Sequence, residues 1–304
     1  MVQSLIAILG APLDLGAGRR GVDMGPSALR LAGLNAKLNS LGYQLEDLGN
    51  VSVAQQESTP SGPQNAKYLP QIAKTCTKLA EMVENVLTAG NFPLVLGGDH
   101  SVAAGTVSGV SDFFRKRGEK IGLIWIDAHA DMNTPESSPS GNVHGMPLAC
   151  CVGRGPLELT QIFDYGAKVD GVNVVLVGIR DVDRREREII RESGVTAFTM
   201  RDIDERGLPN VMERAIAVAN DGTSGFHLSL DMDVVDPDEA PGVGTPVRGG
   251  MTYREAHLAM ETICDCSRMM SMEVVEVNPV LDEANRTALL AVELVMSAMG
   301  KKIL

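Results

Sequence analysis

Apolar residues fall along this chain in short, nearly unbroken runs, separated by longer stretches in which they recur every three or four positions. The runs are "SLIAILGAP", "FPLVLGG", "IGLIWID", "VNVVLVGI", "GFHLSLD" and "MEVVEV", and "YQLEDLGNV" adds a further β-rich segment. Continuous apolarity, rather than alternation, is what a strand covered on both faces requires. Between the runs, an amphipathic stretch from Gly25 to Gly42 carries Pro26 in its first turn. A long helical pattern reaches Thr88, broken near its start by Pro70 and closed by Gly90. Further helical patterns cover residues 101–117, 184–193, 209–220, 252–266 and 285–300. Strand and helix alternate over the whole length with no linker, repeat or low-complexity tract. The pattern predicts one α/β domain over residues 1–304 with a mostly parallel central sheet.

In such sheets ligands bind outside the carboxyl ends of the strands, so the side chains that follow each strand decide the chemistry. "FPLVLGGDHS" delivers Asp99 and His100, and "IGLIWIDAHAD" delivers Asp127, His129 and Asp131. "GFHLSLDMDVVDPD" delivers Asp231 and Asp233, "MEVVEVNP" delivers Glu276, and "VNVVLVGIRDVD" adds Asp181 and Asp183. If the chain stays extended past residue 126, Asp127, His129 and Asp131 share one face.

Each cluster alone has a plain reading, since Asp after a strand often caps a turn or helix. Together they are costly. Burying several carboxylates at one rim costs several kcal/mol per ion unless cations compensate, and no matching set of Lys or Arg accompanies them. Metal ions are the natural counter-charge. His100, Asp127, His129, Asp131, Asp231 and Asp233 are too many for one tetrahedral zinc, and two dications balance the four carboxylates. Oxygen-rich ligation with a minority of imidazole suits manganese. A pair of such ions lowers the pKa of a shared water, which favours hydrolysis. Asp99 is expected to support His100 rather than bind metal. His227 and His257 sit away from strand ends and are read as structural, and Asp236 is expected to shape the turn at Pro237.

Charge and cysteine content narrow the class. The formal charge of −12 on 304 residues excludes nucleic acid as a natural partner, and "DRRERE" around residues 183–188 reads as a solvated helix start. Five cysteines without C-x-x-C spacing suggest reduced thiols in or near the core. No run is long enough for a bilayer and the first segment lacks a basic leader, so a cytoplasmic protein without a membrane partner is expected. The longest irregular segment, "NTPESSPSGNVHG" at residues 133–145, is rich in Ser, Pro, Gly and Asn, a composition more often functional than idle in a compact domain.

The motifs "GGDHS", "DAHADMN", "SGNVHG", "SLDMDVVDPDEAPGVGTPVRGG" and "EVNP", in this order and spacing, resemble the ureohydrolase family, which includes arginase, agmatinase and related amidinohydrolases. The likeness runs from "GAPLDLGAGRRGVDMGPSALR" to "NRTALLAVELVMSAMG". The resemblance implies a three-layer α/β/α sandwich, two Mn2+ per subunit and cleavage of a guanidinium group to urea and an amine. The "S-G-N-x-H-G" loop resembles the branch acting on L-arginine, which gives L-ornithine and urea. By that resemblance Asn133, Ser140 and Asn142 receive the α-carboxylate, Asp183 meets the α-ammonium, and Glu276 anchors the guanidinium beside Thr245. Asp131 then carries a proton to the leaving amine, and His144 exchanges protons with solvent. A homotrimer or homohexamer is also implied. Agmatinase and guanidinobutyrase chemistry are the alternatives within the family, a one-metal zinc deacetylase is more distant, and a non-catalytic metal- or arginine-binding protein lies outside it.

Overall fold

A computed structural model describes residues 5–302. Eight strands form one sheet in the order β2-β1-β3-β8-β7-β4-β5-β6. They are β1 (Ile6–Ala11), β2 (Leu45–Asn50), β3 (Phe92–Gly97), β4 (Gly122–Ile126), β5 (Val174–Ile179), β6 (Thr196–Thr199), β7 (Phe226–Asp231) and β8 (Met269–Val275). Every pairing between neighbours is parallel. The strands that read as continuously apolar are the interior ones, and the polar β2 is an edge. The opposite edge, β6, is only four residues long and carries no apolar run, so the sequence pattern does not reveal it.

Helices cover both faces. α1 (Gly25–Leu31), α2 (Leu34–Ser40), α8 (Met200–Arg206), α9 (Leu208–Ala219), α10 (Tyr253–Cys266) and α11 (Arg286–Ala298) pack against one face. There Ile6, Ile8, Leu94, Leu96, Ile124, Ile126, Leu228 and Leu230 form the core. On the other face α3 (Leu69–Thr88), α4 (Ala103–Arg115), α5 (Pro147–Cys151) and α6 (Leu157–Thr160) cover the alternate residues, among them Ala7, Leu9, Val95, Leu123 and Trp125. α7 (Glu186–Ser193) packs its partly buried Ile189 and Ile190 on the same side. The period of two along each strand thus feeds two apolar layers, and the three-layer α/β/α sandwich follows.

Two readings of the helices need correction. The stretch from Gly25 to Gly42 is two helices, because Gly33 adopts φ 86° between them, a conformation that ends a right-handed helix. Pro70 does not break the next helix; it sits in the first turn of α3, where its missing N–H goes unneeded. Among the described residues no helix is long and apolar enough to cross a membrane. All five cysteines are free, with Cys76, Cys150 and Cys151 buried and Cys264 and Cys266 half-buried.

Candidate metal centre and substrate cavity

Four strands that are neighbours in the middle of the sheet, β3, β8, β7 and β4, end at one rim. His100 follows β3, Glu276 follows β8, Asp231 closes β7 with Asp233 just beyond it, and Asp127 follows β4. Side chains far apart in sequence therefore meet within a few strand spacings. His100 Nδ1 lies 3.1 Å from a carboxylate oxygen of each of Asp127, Asp131 and Asp231. His129 Nδ1 lies 2.9 Å from Asp233 and 3.5 Å from Asp127. Two groups have ligand atoms close enough to share an ion, His100–Asp127–Asp231 and Asp127–His129–Asp233, with Asp127 common to both.

These residues converge, but not by the alternation expected after β4. The extended conformation ends at Ile126, Asp131 has φ 50°, and a turn rather than a strand carries the three side chains to the rim. The turn is held at several points. His129 N donates to Asp127 Oδ1 at 2.6 Å, Ala128 N to Asp233 Oδ1 at 3.2 Å, and Ala149 N to the carbonyl of Asp131 at 3.1 Å.

The donor set fits dications. His100 Nδ1 is buried without a directed hydrogen-bond partner, as is Glu276 Oε2. The nearby cation, Arg180, donates to the carbonyls of Asp233, Val234 and Val247 and to none of the four carboxylates. Burial and mutual repulsion raise the carboxyls of Asp231 and Asp233, and Asp131 is pushed up to about 6. Burial would raise Asp127 as well, but the adjacent imidazoles of His100 and His129 hold it well below the usual range. Four acids that repel one another around two imidazoles accommodate added positive charge rather than full ionisation without it.

Supporting groups orient the set. Trp125, two residues before Asp127 and on the same face, donates its indole N–H to Asp127 Oδ2 at 2.8 Å and stacks on the His100 ring with centroids 4.0 Å apart. His100 Nε2 meets Ser229 Oγ at 2.8 Å, and that hydroxyl donates to buried Glu273 at 2.8 Å, which fixes Nδ1 as the atom facing the acids. Asp99 accepts from Gly16 N and from the N–H and hydroxyl of Ser101, capping the turn that carries His100. His227 and His257 bond to Ser271 and Ser297 away from the rim. Asp236 accepts from Asp238, Gly249 and Gly250 N–H groups around Pro237.

Above the rim is a cavity of about 290 Å³ lined by His129, Asp131, Asn133, Ser140, Asn142, His144, Asp183, Thr245 and Glu276, among others. Asn133 Nδ2 donates to Asp183 Oδ2 at 3.0 Å, and Asn133 Oδ1 accepts from Ser137 at 2.8 Å. Ser140 Oγ accepts from Asn142 N at 3.2 Å, which leaves its O–H free to donate into the cavity. Thr245 donates to Asp233 Oδ2 at 3.0 Å. His144 Nδ1 lies 2.9 Å from Glu276 Oε1, an oxygen that also accepts from His100 N at 3.0 Å. Burial opposes a charged His144, yet the Glu276 carboxylate raises it to about 9. Glu276 itself has φ 63°, a left-handed conformation that strains a side chain at the site.

Trp125, Ser138 and Glu186 escaped the sequence reading. Glu186 lies within the charge run taken as solvated, but it is buried, lines the cavity and is raised to about 7 by burial. It accepts from Met132 N at 2.9 Å and Asp183 N at 3.0 Å, tying the loop after β4 to the loop after β5. The D-x-x-E spacing of Asp183 and Glu186, with the acid reaching back to a backbone N–H at a helix start, was the signal for it.

The family model described as "Arginase family" matches residues 4–300. The chain is 50% identical to an arginase of Bacillus caldovelox over 300 residues, covering 98% of this chain and 99% of that one. It is 48% identical to an arginase of Bacillus subtilis strain 168, covering both chains in full. A solved structure of the Bacillus caldovelox arginase superposes with a TM-score of 0.95 at 49% identity, covering 99% of this chain and all of that one.

Proposed function

The chain belongs to the arginase family and is a hydrolase, and from that premise we propose that it cleaves L-arginine to L-ornithine and urea with two Mn2+ per subunit. The observation that carries this reading is the pair of ligand groups sharing Asp127 beneath a wall of neutral donors. His100, Asp127, Asp131 and Asp231 would hold one ion, and Asp127, His129 and Asp233 the other. Bound dications would supply Lewis acidity and lower the pKa of water towards neutrality.

The protein's own groups do the positioning. A guanidinium is resonance-stabilised and stays protonated, so its carbon must be held firmly for attack. Glu276 receives it through Oε2, which has no protein partner, in a charge-assisted pair. Asn133, Ser140 and Asn142 take the α-carboxylate, directly or through water, and Asp183 takes the α-ammonium. Water adds to the guanidinium carbon, the bond to the side-chain nitrogen breaks, and Asp131 passes the proton from the water to that nitrogen. His144, with 17% of its side chain exposed and its Nδ1 on Glu276, exchanges protons with solvent. Residues 1–304 as one catalytic domain, assembly as a homotrimer or homohexamer, and a cytoplasmic setting belong to the same proposal.

Metal analysis joined to urea release from L-arginine and from agmatine tests it. Two manganese per chain and a preference for arginine of at least about a hundredfold are expected, because polar groups set to bind a carboxylate are left without their partner by the analogue that lacks it. A preference for agmatine would replace the substrate assignment, and one metal per chain would replace the two-ion centre.

A further inference from the structure

The loop proposed to receive the α-carboxylate contains no Arg or Lys. The structure brings a cation to it from elsewhere. Lys67, in the segment before α3, donates its Nζ to Asn142 Oδ1 at 3.1 Å, and its backbone N–H donates to the carbonyl of Gly141 at 3.0 Å. The two segments are pressed together. Gly141 has φ 68°, and a Cβ there would lie 1.8 Å from the Gln64 carbonyl oxygen, so no other residue fits against the 64–67 backbone. On the other side of the amide, a Cβ on Gly18, which lines an adjoining hollow with Asn142 and His144, would lie 2.8 Å from Asn142 Nδ2.

An ammonium has three donors and no acceptor, so it fixes which way the Asn142 amide faces. Oδ1 must turn to Lys67, which leaves Nδ2, without an acceptor among the described residues, free to donate from a residue that lines the cavity. The ammonium also polarises the amide and strengthens its N–H groups as donors. Among the described residues, Lys67 is the one Lys or Arg bonded to a side chain of the cavity wall.

Resting on the substrate reading above, we propose that Lys67 is a positioning residue for substrate specificity. It holds Asn142 as a donor and lends positive charge to the carboxylate end of the cavity, so that the protein selects a guanidinium substrate bearing an α-carboxylate. It touches neither the guanidinium nor the candidate metal ligands, so its effect belongs in binding rather than in turnover.

The test compares L-arginine with L-argininamide, which carries a neutral carboxamide in place of the carboxylate, in manganese-loaded protein. For K67M, the KM for arginine is expected to rise about tenfold with kcat within twofold, the loss of one charge-assisted hydrogen bond. The ratio of kcat/KM between the two substrates should fall by a similar factor. The Kd of L-ornithine, read by calorimetry, should rise in parallel, and K67R should restore most of the loss. If K67M does not fold, K67Q carries the same comparison with one donor retained and no charge. An arginine KM within twofold of the parent, or equal losses on both substrates, overturns the inference and leaves Lys67 a structural anchor. Absence of arginine turnover in the parent protein would instead overturn the substrate reading itself.

Discussion

On the floor of the cavity His100 Nδ1 faces three carboxylates at 3.1 Å without a directed hydrogen bond, whereas in the wall Asn133 commits both ends of its amide to Ser137 and Asp183. The floor is buried, rises from strand ends and concentrates unbalanced charge. The wall is a loop, partly exposed, whose neutral groups are arranged by one another and by Lys67. The contrast separates two tasks. A floor of repelling acids is completed by multivalent cations, while a wall of uncharged donors can bind a carboxylate without competing for those cations.

The sharpest way to break this contrast is Asp127→Asn, since Asp127 belongs to both ligand groups. Manganese content should fall from about two per chain to one or fewer, and urea release should drop by at least about a thousandfold, well beyond the ten- to hundredfold typical of groups behind the ligands. Atomic absorption on the purified variant, read beside a urea assay, checks both. Full metal content with unimpaired turnover would mean that the floor does not hold the ions as proposed.

A smaller effect is expected where floor and wall meet. His144 lies on the loop but points its Nδ1 at Glu276, and neither ligand group includes it. His144→Asn should lower kcat by about a hundredfold, the usual scale for losing a proton-transfer group, with manganese content unchanged. Loss of metal instead would move His144 from the wall to the floor and redraw the boundary between them.

The floor was legible in the sequence because its chemistry is local to strand ends. An apolar run that stops at Asp, His or Glu reports both the rim and the kind of side chain gathered there, and six such residues do converge. The geometry that brings Asp131 in was not legible, since φ 50° at a non-glycine residue is imposed by contacts such as the Ala149 N–H on its carbonyl. The wall was harder to read. Ser140 and Asn142 stood out only through a motif, and Lys67 could not, because its partner lies 75 residues away. Glu186 hid inside a charge run whose outward-facing members are exposed. Edge strand β6 and the break at Gly33 escaped for a related reason: four half-polar residues and one flexible glycine perturb a hydrophobic pattern too little to register.

The finest probe of the junction is the proton on His144 in chelated, metal-free protein. Burial alone would lower its pKa, but the Glu276 carboxylate raises it to about 9, while burial of Glu276 is outweighed by the His144 charge and the His100 N–H, which lower it. The two shifts have opposite linkage. The His144 contribution to stability is complete below its unfolded value of about 6.5 and is lost as pH rises through about 9; the Glu276 contribution is present above the ordinary carboxylate range and is lost on acidification. The pair therefore stabilises the metal-free protein most between these limits. An NMR titration of the imidazole should give a midpoint near 9, and Glu276→Gln should lower it by about two units, the order expected when burial is no longer opposed by a neighbouring charge. The same variant should flatten the fall in denaturant midpoint between pH 6.5 and 9. A midpoint near the ordinary imidazole value in the parent protein would mean that His144 swings free of Glu276 in solution, and floor and wall would then be electrostatically separate rather than joined at this bond.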